Sequence, residues 1–245
     1  MKKLLFSALV LALPLNVMAD TILGVKIGGG SWSHSPSGSI ISTEGGTAGT
    51  SADLENDLQL SKKSEGYAYI SLEHPIPVLP NIKLSQTNLT SNGSGAVTSD
   101  FTFNGTPYSA STSVTTEFEL NQTDVILYYE ILDNILSFDI GLNAKTIDGK
   151  VVVNNDSSTF SGTIPMLYLA AEIALPAGFA FSAEISTVSA SGSSYDDVTA
   201  KISYTSDYLF GVEAGIRSQT IKADVDDVDA DIVFKGPFAG VFLKF

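Results

Sequence analysis

Hydrophobic and polar residues alternate along most of this chain with a period of two. That is the pattern of strands with one greasy face and one polar face. Ten such segments can be read. The first, Thr21–Trp32, sets Leu23, Val25 and Ile27 against Gly24, Lys26 and Gly28. The second, Lys63–His74, sets Ala68, Ile70 and Leu72 against Tyr67, Tyr69, Ser71 and Glu73. The third begins at Asn81, with Ile82 and Leu84 opposite Lys83, Ser85 and Thr87. The fourth ends near Ile131, with Val125, Leu127, Tyr129 and Ile131 opposite Asp124, Tyr128 and Glu130. Its upper part, Thr115 to Leu120, has the opposite phase, which predicts a bulge near Asn121–Thr123.

The fifth runs from Leu136, with Phe138, Ile140, Leu142 and Ala144 opposite Asp139, Gly141, Asn143 and Lys145. The sixth sets Leu167, Leu169, Ala171 and Ile173 against Tyr168 and Glu172. The seventh sets Phe179, Phe181, Ala183 and Ile185 against Ser182, Glu184 and Ser186. The eighth sets Val198, Ala200, Ile202 and Tyr204 against Thr199, Lys201 and Ser203. The ninth sets Tyr208, Phe210, Val212, Ala214 and Ile216 against Gly211, Glu213, Gly215, Arg217 and Gln219. The last sets Ala239, Val241, Leu243 and Phe245 against Phe238, Gly240, Phe242 and Lys244.

Connectors alternate in length. Pro75–Pro80, Leu132–Ile135, Leu175–Gly178 and Ser206–Asp207 are short. Ser33–Lys62, Ser91–Ser113, Asp148–Gly162, Ala190–Ser194 and Lys222–Asp231 are long or polar. Short turns at one end and longer loops at the other are the asymmetry of transmembrane β-barrels. The fold expected is all-β: an antiparallel transmembrane barrel of ten strands, with eight or twelve also compatible because boundaries read from sequence err by ~2–4 residues. A soluble periplasmic β-sandwich also alternates, but its long and short loops need not. Asn104-Gly105 is a hairpin signal, so strands three and four are expected to continue above the membrane as a protruding ribbon. Trp32, Tyr67, Tyr208 and Phe245 fall near strand ends, where an interfacial aromatic girdle would sit.

The first residues carry Lys2 and Lys3, an apolar run from Leu4 to Leu15, and the small residues Val17 and Ala19. That is the layout of a signal peptide cleaved after Ala19. The expected organisation is a signal peptide at 1–19 and a barrel at 20–245. The chain has no cysteine, so no disulfide reinforces it. A closed sheet whose backbone hydrogen bonds are all satisfied could hold it instead.

The formal charge is −14, and removing Lys2 and Lys3 would make it more negative. Nucleic acid is a poor partner for such a surface. Projecting the strands inward places Glu73, Asp124, Glu130, Asp139, Glu172, Glu184 and Glu213 in the lumen with Lys26, Lys83, Lys145, Lys201, Arg217 and Lys244. The two sets nearly balance, so the surplus acid belongs to the loops. A barrel of this strand number is filled by its side chains, and opposite charges in it should pair. The expectation is a narrow lumen blocked by ion pairs; the same charges could instead line a solute or ion path.

His34 and His74 fall at opposite barrel ends and cannot share a site. An enzyme would need His34 with an acid such as Glu44 and a nearby serine; no catalytic set and no cofactor is assigned. Lys222–Asp231 gathers Asp224, Asp226, Asp227, Asp229 and Asp231, a candidate divalent-cation loop, although its spacing is not that of an EF-hand. The alternative is a solvated acidic turn, or one bridged by cations to lipopolysaccharide. Gly28-Gly29-Gly30 has no following helix or Lys-Ser/Thr and is not a phosphate loop. On a strand it permits close approach. The first long loop could be a surface contact.

The segments A-D-T-I-L-G-V-K-I-G-G-G-S-W and G-I-R-S-Q-T…D-V-D-D-V-D-A-D-I-V-F-K-G-P-F-A-G-V-F-L-K-F resemble an uncharacterised family of proteobacterial outer-membrane β-barrel proteins. The resemblance implies an integral outer-membrane location, contact with lipid and lipopolysaccharide, and insertion by the barrel-assembly machinery. In such barrels the final strand, here Val241, Leu243 and Phe245, is the assembly signal. It supplies no catalytic or ligand-binding residue. Three functions stay open: a structural or surface-interaction barrel, a small-solute or ion channel, and an outer-membrane enzyme. Oligomeric state is not legible.

Overall fold

A computed structural model of the chain describes residues 23–42, 49–76, 78–133, 135–225 and 228–245. The signal-peptide segment 1–19 lies outside these. The elements are β1 (Gly24–Ser42), β2 (Ala52–Asp53), β3 (Lys63–Glu73), β4 (Asn81–Ala96), β5 (Phe101–Phe103), β6 (Thr106–Tyr108), β7 (Ser113–Asp133), β8 (Leu136–Val153), β9 (Asp156–Ala174), β10 (Phe179–Ala190), β11 (Ser193–Thr205), β12 (Phe210–Val225) and β13 (Val228–Lys244). A 3-10 turn, Pro176–Gly178, joins β9 to β10. β2, β5 and β6 are short. The other ten strands form one antiparallel sheet in which each pairs with its neighbours in the chain, and β13 returns to pair with β1. Lys26↔Lys244 at one end and Ser42↔Val228 at the other mark the seam. The sheet is therefore a closed ten-stranded barrel with no free edge along that seam.

Side-chain direction sorts the strands as their alternation predicts near the turn end. Leu142, Ile131, Ile216, Val241, Phe181 and Ile202 point outward and are exposed, forming an apolar belt. Polar groups point inward. Aromatic side chains Tyr129, Phe179, Tyr204, Tyr208 and Phe210 stand on the outer surface. Two of the expected girdle residues do not. Trp32 and Tyr67 face inward: Trp32 is buried, and the Tyr67 hydroxyl donates to Glu213. Both lie on the column of their strand that carries the lumen residues, and proximity to a strand end does not override parity.

Above the belt the polarity reverses. On β7 the inward residues Val114, Phe118 and Leu120 are buried apolar side chains, while Thr115, Glu117 and Glu119 face out. The register is unbroken with β4 from Ser113 to Tyr128 and with β8 from Thr116 to Glu130. There is no bulge at Asn121–Thr123; the one register shift lies between Glu130 and Leu132. The change of phase in the sequence is a change of surroundings. An apolar outer face over a polar interior gives way to a polar outer face over an apolar core. The same reversal occurs on β8 (Val151 and Val153 inward) and on β13 (Ala230, Ile232 and Phe234 inward).

The long connectors are therefore mostly strand. β1 extends to Ser42, β8 and β9 meet at a turn around Asn154, and β12 and β13 extend to Val225 and Val228. Two segments fold into the mouth. Residues 52–60 place Leu54, Leu58 and Leu60 in the core, anchored by Leu54 N to Gly38 O (2.9 Å). The β5–β6 hairpin turns at Asn104-Gly105, both with positive φ, as a type I′ turn requires. The third and fourth long strands, β4 and β7, do continue above the belt as a paired ribbon up to Ala96 and Ser113, but this hairpin at their tip folds inward. Phe101, Phe103 and Tyr108 are buried in the same core, because an apolar ribbon standing in water would forfeit roughly 1.5–3 kcal/mol per large side chain.

Candidate functional site

The lumen gathers many of the polar side chains of the described residues, and it is built in three tiers. At the turn end is a vestibule of about 460 Å³, lined by Lys26, Glu73, Glu130, Asp139, Glu172 and Lys244 among others. Tyr128 donates to Glu73 (2.9 Å), and the Lys26 ammonium lies 4.2 Å from the centre of the Phe242 ring.

The middle tier is a lattice spanning the lumen. Lys83 on β4 pairs with Glu184 on β10, across the barrel. Lys201 bridges Glu184 (3.3 Å) and Glu213 (3.2 Å). Tyr67 and Tyr69 donate to the two oxygens of Glu213 (2.9 and 3.1 Å), and Tyr168 donates to Glu184 (3.2 Å). The Tyr69 ring lies over β1, so that a Cβ at Gly28 would sit 2.5 Å from its Cζ. Here the glycine run permits the close approach its composition suggested.

The next tier is drier. Arg217 binds Asp197 through Nε and Nη2 (2.9 and 2.7 Å), a bidentate pair. Lys145 lies 2.8 Å from Asp124 and 3.1 Å from Asp197. Gln122 and Gln219 exchange amide hydrogen bonds at 2.8 Å, and Gln219 also donates to Asp197 (2.9 Å). The Arg217 guanidinium stacks 4.9 Å from the Trp32 ring. Directly above, Trp32, Leu89, Phe118, Leu120, Phe234 and the mouth segments close the lumen with apolar side chains.

His34 is embedded in that apolar cap, above the belt, with Ser33 and Ser35 beside it on the outer face. Its ring packs 5.4 Å from Trp32 and 5.7 Å from Phe234. Neither ring nitrogen has a hydrogen-bond partner. Burial, against a smaller pull from Glu65, lowers its pKa to about 4. A general base needs a polar partner and access, and His34 has neither; Glu44 lies outside the described residues. His74 sits at a turn of the opposite end, with Nε2 against Pro80 O (3.2 Å). In the mouth, Asp57 is buried, which disfavours its charge. Hydrogen bonds donated by Thr98, by the Asp53 backbone N–H and by Ser99 outweigh that and hold its carboxyl below the usual range. Tyr108 donates to Asp156 (2.6 Å), and burial together with that carboxylate pushes its hydroxyl up.

The residues expected as one charge network thus divide. Lys83, Glu184, Lys201 and Glu213 join in the middle tier. Asp124, Lys145 and Arg217 join in the upper tier. Lys26, Glu73, Glu130, Asp139, Glu172 and Lys244 line the vestibule. The hub of the upper tier, Asp197, was missed. It lies two residues before Thr199 on the inward column of β11, and extending that alternation by one step finds it. In the acidic loop, Asp231 faces Lys222 (3.4 Å) on the water-exposed surface and Asp224 pairs in register with Asp229. Asp226 and Asp227 lie outside the described residues. Among the described residues, no three carboxylates or imidazoles gather as a metal site.

No family model matches the chain, and no curated protein matches it significantly. Among solved structures it is similar to the outer membrane protease OmpT from Escherichia coli (10% identity, covering 91% of this chain and 97% of that one, TM-score 0.51). It is also similar to the translocator domain of the autotransporter NalP from Neisseria meningitidis (10%, 90% and 88%, TM-score 0.45) and to Ail, the attachment invasion locus protein of Yersinia pestis (10%, 92% and 100%, TM-score 0.39). At such identity the OmpT likeness is one of fold: the closed antiparallel barrel of the Gram-negative outer-membrane type.

Proposed function

We propose that this chain is an integral outer-membrane barrel whose lumen is sealed by its own loops, with a structural or surface-interaction role. The observation that supports this most directly is the apolar cap. An ion would have to cross the Arg217–Asp197 tier and then a core of Trp32, Phe118, Leu120 and Phe234. Hydrophobic constrictions exclude ions by dewetting, and this one is packed with side chains. The belt of outward Leu, Ile, Val and Phe supports a lipid setting. On this reading the turn end is periplasmic, residues 1–19 are removed on export, Val241, Leu243 and Phe245 guide insertion by the assembly machinery, and the polar outer strands meet lipopolysaccharide. The buried, unpartnered His34 speaks against the one catalytic set the sequence suggested.

Planar-bilayer recording on the refolded protein tests the reading. The expected result is no steady conductance. A steady conductance that changes in Lys26→Gln, Glu213→Gln or Arg217→Gln would establish the channel in its place.

A further inference from the structure

The vestibule holds charge that the upper tiers do not use. Glu184 and Glu213 are matched by Lys83 and Lys201. What remains is two-sided. Lys26 on β1 and Lys244 on β13 are direct register partners across the seam. In the ten-strand ring, β9 stands five strands from β1, and β8 five from β13, by either route. Glu172 on β9 and Asp139 on β8 thus stand on the opposite half of the ring from Lys26 and Lys244, and all four line the vestibule. Asp139 is also the register partner of Glu130, a like-charge juxtaposition that is unfavourable on a sheet. Glu73 and Glu172 line the same vestibule as Asp139.

A second, independent observation lies on the same wall. Ser182 on β10 is only 5% exposed. It is the register partner of both Glu172 and Lys201, and its hydroxyl lines the vestibule without a hydrogen-bond partner. Buried hydroxyls are normally satisfied, so this one leaves a hydrogen bond unmet at the vestibule wall. A single metal ion is a poor occupant, since no three carboxylates converge among the described residues. An elongated molecule with charge at both ends fits the two walls. The acids outnumber the amines even with Glu130 set aside, which favours surplus positive charge.

We propose that the vestibule binds a small zwitterion with an extra ammonium group, of the diamino-acid class. Its carboxylate meets Lys26 and Lys244, its ammonium groups meet Asp139 and Glu172, and Ser182 completes the contact. The site opens at the turn end, so this inference stands whether or not the outer mouth is sealed.

Calorimetric titration of the folded full-length barrel in detergent micelles tests it with three probes: lysine, putrescine (no carboxylate) and glutarate (no ammonium). Lysine is expected to bind, with both other probes about 10-fold weaker or more, because each lacks one set of charged hydrogen bonds. Asp139→Asn and Lys26→Met should each weaken lysine by a similar factor. Gel mobility without boiling verifies that each variant is folded, and Ser182→Ala supplies a milder variant of the same wall. No lysine binding at tens of millimolar would overturn the proposal. So would putrescine binding as tightly as lysine with no effect of Lys26→Met, since simple cation attraction would then suffice.

Discussion

Acidification should loosen the mouth of this barrel through one side chain. His34 is enclosed by Trp32 and Phe234 with both ring nitrogens unpartnered, and burial lowers its pKa from 6.5 to about 4. In the unfolded chain the imidazole takes up a proton near pH 6.5; in the folded barrel it does so only near pH 4. The unfolded state therefore binds more protons throughout that window, and stability rises with pH across it. The contribution is fully present above pH 6.5, falls as pH drops towards 4, and levels off below. At about 1.4 kcal/mol per pH unit, the loss is on the order of 3 kcal/mol. His34→Leu removes the group and keeps an apolar side chain in the cap. It should be at least as stable as the wild type at pH 7.5, because no buried ring nitrogen is left unsatisfied. Trp32 is the only tryptophan and touches the His34 ring, so urea unfolding in micelles can be followed by its fluorescence. The difference between wild type and variant should widen by roughly 3 kcal/mol between pH 7.5 and 4, while carboxylates common to both cancel. Parallel stability curves for the two proteins across that range would refute the reasoning.

Two further outcomes follow from the packing. Phe234→Ala empties the centre of the cap and should cost about 3–5 kcal/mol in the same unfolding assay; a cost below 1 kcal/mol would mean the cap is not a packed core. Asp197→Asn leaves Arg217 and Lys145 without their shared carboxylate and should cost about 3–5 kcal/mol. The double change Asp197→Leu with Arg217→Met should recover much of that, which comparison of the three melting curves checks.

The belt half of the molecule was legible because lipid and lumen impose opposite demands on successive residues. Val125, Leu127 and Tyr129 against Asp124, Tyr128 and Glu130 could be sorted without a structure. The outer half was harder because the same period carries the opposite meaning there. Phe118 and Leu120 point inward as Asp124 does, yet read as lipid-facing, and the apparent break was assigned to the backbone at Asn121–Thr123. The plug was not legible at all. Leu54, Leu58 and Leu60 lie in a segment without strand periodicity, and nothing local says that it folds back into a mouth. The ion-pair partners were identified by face, but alternation alone cannot say which charges meet across a lumen. That requires the register of the closed ring, which joins Lys83 to Glu184 and leaves Asp139 among carboxylates.

On the outer-membrane reading proposed above, the reversal of polarity along β7, β8 and β13 would set an order of events during insertion. Thr115, Glu117, Glu119 and their outer neighbours cannot rest in hydrocarbon, so these hairpin tips must be carried through to the far side before they gain anything. Only there can Phe118, Val151 and Phe234 leave water, by finding one another and the returning segments. On that reading the closing of the cap would come last, and the packed cap would then oppose backward slippage of the hairpins.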